Sequence, residues 1–198
     1  MLFKNKRRII ISFSCVLILL LYFTRSLSIL IPISVTILAL LLFSYIDRSF
    51  KFNFPESFYV YVFAIFILGT VVGRYPPFGL YYRDIFFDKV LHFISPFMMS
   101  AIMFFILDRL EITLKWKLVM TIGLVFSVLG LFEIGEYLSD QVFGTFNQGV
   151  YLKDLISQVR LKVITDPIND TMRDLIFGLV GSFSYGVYKV YWSIMNRN

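Results

Sequence analysis

The stretch DKVLHFISPFMMSAIMFFIL, residues 88–107, decides how this chain is read. Beyond its first five positions it carries no charge, and its twenty residues match the ~20 that an α-helix needs to cross ~30 Å of hydrocarbon. Its head is polar. Asp88 and His92 stand one helical turn apart on one face, a spacing that lets a carboxylate orient an imidazole or lets both touch one ion. The same two residues also suit plainer roles, Asp88 as a charge placed well at a helix N-terminus and His92 as a neutral core residue. Pro96 follows four residues on and predicts a kink that frees a backbone carbonyl nearby.

The rest of the chain has the same character. Of its 198 residues 58% are hydrophobic and only 16% charged, with a mean hydropathy of +0.77, which is beyond a soluble globular domain and within the range of polytopic membrane proteins. Apolar runs at 9–24, 27–46, 57–73, 118–140 and 167–192 join the run at 88–107. The expectation is an all-α integral membrane protein with six transmembrane helices in one bundle, a single membrane domain over 1–198. An irregular or re-entrant segment is expected before the fourth helix, from Arg74 through Pro76, Pro77 and Gly79 to Asp84.

The net charge of +6 comes from short basic clusters between apolar runs, which fit topology signals and anionic head groups rather than nucleic acid. Lys4, Lys6, Arg7 and Arg8 precede the first run as they would in a signal peptide, but no A-x-A-like site follows and five further spans do, so an uncleaved first helix is expected. With the N-terminus inside, eleven Lys and Arg residues fall on the cytoplasmic side and eight outside. Both termini are therefore expected in the cytoplasm of a multi-pass protein of the cell membrane. Cys15 is alone and can form no intrachain disulfide.

On this topology nine of thirteen acidic residues and the single histidine gather on the extracytoplasmic side. Glu133, Glu136 and Asp140 project from one stripe of the fifth span, within about 60° at ~100° per residue. Beside it run Gly123, Ser127 and Gly130, small residues of the kind that let helices approach closely. Asp166-Pro167 reads as a helix start with Asp166 as N-cap. Asp170 and Asp174 continue that face into the sixth span, where Gly178, Ser182 and Gly186 form a second small-residue face, and Arg173 lies between the acids. Carboxylates inside apolar segments mark a functional site, because each costs several kcal/mol (~2–4) unless paired, hydrated or bound to a cation. Asp140 and Asp154, at a helix end and in a loop, read as solvated, so their neutral variants should be nearly silent.

At these residues the chain resembles known families. Phe87-Asp88-Lys89-Val90-Leu91-His92-Phe93 is similar to the D-[KR]-x-x-H-F motif of VanZ-like membrane proteins and of the related YjdF-like family. Phe132-Glu133-Ile134-Gly135-Glu136-Tyr137 resembles the YjdF-like W/F-E-x-x-E-W/Y motif, and the run from Asp166 to Asp174 its D-x-x-x-D-T-x-x-D motif. The likeness spans about residues 84–186. It implies a small six-helix membrane protein whose shared polar positions are Asp88, His92, Glu133, Asp170 and Asp174. Where the pattern usually places another Asp or Asn after the last acid, this chain has Gly178.

Two functions fit. In one, the polar site binds an ion, a proton or a small envelope ligand without bond cleavage, in transport, sensing or an accessory role. In the other, a membrane-embedded metal-dependent hydrolase or transferase acts on an envelope lipid or lipid-linked substrate, with Asp88, His92, Glu133, Asp170 and Asp174 as catalytic and metal-ligating candidates. Arg74, Arg83 and Arg173 are candidate contacts for a phosphate or carboxylate. No HExxH, G-x-S-x-G, Walker loop or Cys pair is present. One histidine among carboxylates favours Mg²⁺, Ca²⁺ or Mn²⁺ over zinc.

Overall fold

The computed structural model describes residues 2–24, 29–73, 79–82, 86–144, 147–153 and 160–196, with the backbone alone for 2–4, 20–24, 82, 150–153 and 160–162. Among these residues the chain forms six α-helices: α1 (Leu2–Thr24), α2 (Leu30–Ser49), α3 (Glu56–Phe66), α4 (Phe87–Leu107), α5 (Leu114–Phe143) and α6 (Pro167–Met195). α3 runs on into a π-helical turn over Ile67–Val72. α2, α4 and α5 are long and apolar enough to cross a membrane by length and composition, and α3 with its π turn is a shorter apolar helix. Large side chains such as Leu38, Leu131 and Val187 are exposed on the helix surfaces, as expected where the solvent is lipid. The protein is a helical membrane protein.

One departure from an all-α chain is a two-stranded antiparallel hairpin of β1 (Val150–Lys153) and β2 (Arg160–Thr165), in which Val150 pairs with Thr165 and Tyr151 with Val163. Its strands are too short to stand out against a loop in the sequence, and they gain stability only by pairing.

The helices group in two compact units, residues 1–80 and 81–198. In the first, α1 begins well before its apolar run, and Lys6 is buried rather than solvated. Its Nζ donates to Asp47 Oδ2 at 2.8 Å, the Tyr59 hydroxyl donates to the same oxygen at 2.7 Å, and the Phe54 amide donates to Asp47 Oδ1 at 3.0 Å. Lys51 and Asn53, both at positive φ, bend the chain so that Phe54 can reach back. Every charge in this knot has a partner, which is the condition for burying it at all.

In the second unit α6 packs on α4 backbone to backbone. A Cβ on Gly181 would run into the backbone of Phe93, and one on Gly178 into the Leu129 side chain of α5. One turn further on, the Ser100 and Ser182 hydroxyls hydrogen-bond at 2.8 Å. Gly178, where the resembled motif usually carries Asp or Asn, is thus a packing residue. The other small-residue stripe behaves differently: Gly123 and Ser127 are exposed, and a Cβ on Gly123 or Gly130 would meet nothing within 4 Å. The buried face of α5 is instead Thr121, Val125, Leu129 and Glu133, one residue per turn. Small residues permit close approach, but a partner must supply a matching surface.

Candidate functional site

The buried face of α6 reads Asp170, Asp174, Gly178, Ser182 and Gly186 at four-residue intervals. The two acids therefore continue the packing seam and point at α4 where the seam would otherwise need apolar contacts. What meets them is Lys89. Its Nζ donates to Asp170 Oδ1 at 2.5 Å, Asp174 Oδ1 at 2.6 Å and Asp88 Oδ2 at 3.0 Å. An ammonium has three N–H donors, and here each finds a carboxylate. Sequence reasoning missed Lys89 because a lysine at the head of a span ordinarily counts as a loop charge. The available signal was its seven- and eleven-residue spacing to Pro96 and Ser100, which places it on the buried face of α4.

His92 stands on the other side of the acids. Its Nε2 lies 3.5 Å from Asp88 Oδ1 and 3.9 Å from Asp174 Oδ1, and its Nδ1 lies 3.9 Å from Glu133 Oε1. These separations are longer than hydrogen bonds. Glu133 Oε1 and His92 Nδ1 are buried with no hydrogen-bond partner among the described residues. Phe132 approaches the imidazole edge-on at 6.5 Å between ring centroids. Asp88, His92 and Asp174 each offer one ligand atom within 4.8 Å of the others, a spread that a hard cation with bonds of about 2.0–2.6 Å can span after small adjustments.

Asn147, Gln148 and Gly149 form a strap between the end of α5 and the head of α6. The Gly149 amide donates to Asp170 Oδ2 at 2.9 Å, and Gln148 Nε2 donates to Thr171 Oγ1 at 2.9 Å. Its other end is tied to Asp140, which accepts from the Asn147 amide at 2.8 and 3.1 Å and from the Gln148 amide at 2.9 Å. Gly144 ends α5 at a φ of 61°, which an L side chain rarely adopts. Asp140 is thus an anchor rather than a solvated helix end. Asp166 caps α6 as the sequence predicts, accepting from the Asn169 amide at 3.1 Å. Hydrogen bonds from the Asn169 side chain and then its amide hold this carboxyl below its ordinary range.

The five residues carried by the motifs, Asp88, His92, Glu133, Asp170 and Asp174, all come from α4, α5 and α6 and meet in the second unit. Arg173 is exposed on α6, outside this cluster. Arg74, Arg83, Asp84 and Asp154 lie outside the described residues, as do Pro76 and Pro77. Between these and the helices, Gly79 and a 3₁₀ turn over Leu80–Tyr82 are the described part of the irregular segment.

Apolar helices with a buried polar cluster between them define an integral membrane protein that keeps ionisable groups inside its helix packing. The chain belongs to the family described as "Predicted membrane protein (DUF2238)", whose model matches residues 6–194. No curated protein and no solved structure matches it.

Proposed function

We propose that the protein binds a cation, a hard divalent ion or protons, in the α4–α5–α6 site, and that it serves transport, sensing or an accessory role in the cell envelope. One observation carries this reading: four carboxyl groups, those of Asp88, Glu133, Asp170 and Asp174, share a buried site with one ammonium, and an oxygen of Glu133 and a nitrogen of His92 are left without partners. Structural ion pairs are normally balanced, as Lys6 and Asp47 are in the first unit. Excess buried negative charge of this size needs additional positive charge, supplied by protons or by a bound ion. Mg²⁺, Ca²⁺ and Mn²⁺ suit the oxygen-rich ligand set, and Mn²⁺ also tolerates the imidazole.

The motif resemblance to VanZ-like and YjdF-like proteins supports a place in the cell envelope. A six-span topology with both termini cytoplasmic would open the site to the extracytoplasmic side, where Arg173 is positioned to meet an anionic head group. The hydrolytic alternative would use the same cluster, with a bound metal ion activating water.

Mn²⁺ titration of the purified full-length protein, followed by electron paramagnetic resonance, tests the reading. Wild type should bind, and Asp174→Asn or Glu133→Gln should weaken binding at least tenfold while the protein stays folded and inserted. Equal binding by wild type and both variants would sink it, as would the absence of both Mn²⁺ binding and proton uptake.

A further inference from the structure

Lys89 holds two of the three residues that could ligate a metal. Its Nζ is bonded to Asp88 and Asp174, and with His92 these form the one group of possible metal ligands among the described residues. Two cations cannot share the Asp174 oxygen at contact distance in a buried site without strong repulsion. The third partner of Lys89, Asp170, stands outside that metal group. The site is also unfinished on its far side, where the Glu133 carboxyl, 5% exposed, leaves Oε1 unpartnered at 3.9 Å from His92 Nδ1.

We propose that Lys89 is a tethered cation that occupies the site until a divalent ion displaces it, so that ion entry and the release of Asp88 and Asp174 by Lys89 are a single exchange. This rests on the cation-binding reading above and adds its regulation. The displaced ammonium keeps Asp170, whose other oxygen accepts from the Gly149 amide of the strap. Asp170 therefore links the state of Lys89 to the segment that crosses the head of α6. No bond is made or broken covalently, and the number of positive charges facing the acids rises by the ion's own charge. The exchange sets affinity: the bound ion must compete with a lysine that is always present at the site.

The test is Mn²⁺ affinity of full-length wild type, Lys89→Met and Lys89→Arg in one detergent, together with the Nζ resonance of Lys89 in ¹⁵N-lysine-labelled wild type titrated with diamagnetic Ca²⁺. The expected result is at least tenfold tighter Mn²⁺ binding by Lys89→Met, no gain by Lys89→Arg, and a shift of the Lys89 resonance on Ca²⁺ saturation. If wild type binds and Lys89→Met binds no tighter, the exchange is wrong while the cation site stands. Should Lys89→Met not fold, the resonance decides alone: a Lys89 signal unmoved by bound Ca²⁺ overturns the exchange. If neither protein binds a divalent ion, the exchange falls, and the cation reading falls with it when proton uptake is absent as well.

Discussion

Lys89 Nζ lies 2.6 Å from Asp174 Oδ1, a contact that joins α4 to α6 across 85 residues of sequence. Around it the two helices approach so closely that Gly181 has no room for a side chain beyond hydrogen. Packing and charge are therefore coupled: the seam that brings the helices together also delivers two acids to one lysine and excludes the water that would otherwise solvate them.

Replacing Lys89 with Ala should cost about 3–5 kcal/mol of unfolding free energy in the absence of divalent ions, because three carboxylates lose their shared partner in a buried site. Arg173→Ala, an exposed position on the same unit, should stay within ~0.5 kcal/mol. Denaturant titration in detergent measures both. A mild effect at Lys89 would mean that the acids are hydrated or protonated in its absence and that the ion pairs contribute little.

Gly181→Ala should destabilise by about 1–3 kcal/mol or more, since the added methyl meets the Phe93 backbone, which cannot step aside as a flexible side chain can. Gly123→Ala, in open surroundings on α5, should leave stability within ~1 kcal/mol. Thermal unfolding of the pair distinguishes a true packing seam from a run of small residues. Equal shifts for the two would place the helix contact elsewhere.

Asp140→Ala should release the strap. Two amide donors lose their carboxylate, the Asn147 N–H shared between both oxygens and the Gln148 N–H bonded to one, each interaction of the charge-assisted kind that contributes roughly 1.5–3 kcal/mol. Amide exchange at Asn147, Gln148 and Gly149 should quicken at least tenfold, with exchange in the middle of α5 unchanged. Unaltered protection at these three amides would show that the contacts of Gly149 with Asp170 and of Gln148 with Thr171 hold the strap without Asp140.

The sequence was most legible where one element decides the outcome. The apolar runs, the cap at Asp166 and the inward face of Asp170 and Asp174 follow from periodicities of about 3.6 residues and from local capping chemistry. It was least legible where two distant elements choose each other. Lys89 reads as a loop lysine unless its spacing to Pro96 and Ser100 is weighed, and its partners are known only when the acids of α6 arrive beside it; Lys6 looks like a topology signal until α2 brings Asp47. Gly123, Ser127 and Gly130 have the composition of a helix contact but lack the partner surface that Gly178 and Gly181 find on α5 and α4. Asp140 is read correctly only once the amides of Asn147 and Gln148 are found on its carboxylate.

The proposed topology predicts that reporters fused after residue 196 and within 145–160 lie on opposite sides of the membrane. An even number of spans returns the chain to its starting side, whereas five spans leave residues 145–160 across from it. Two reporters on the same side would separate the acid cluster from the extracytoplasmic face assigned to it.

The most direct test of the cation site is an anomalous-difference map from crystals of the full-length protein equilibrated with Mn²⁺. The account predicts a peak among Asp88, His92 and Asp174, at about 2.0–2.6 Å from their ligand atoms, with Lys89 drawn away toward Asp170. A map with no peak inside the cluster, and Lys89 still bonded to Asp88 and Asp174 at saturating Mn²⁺, would contradict it.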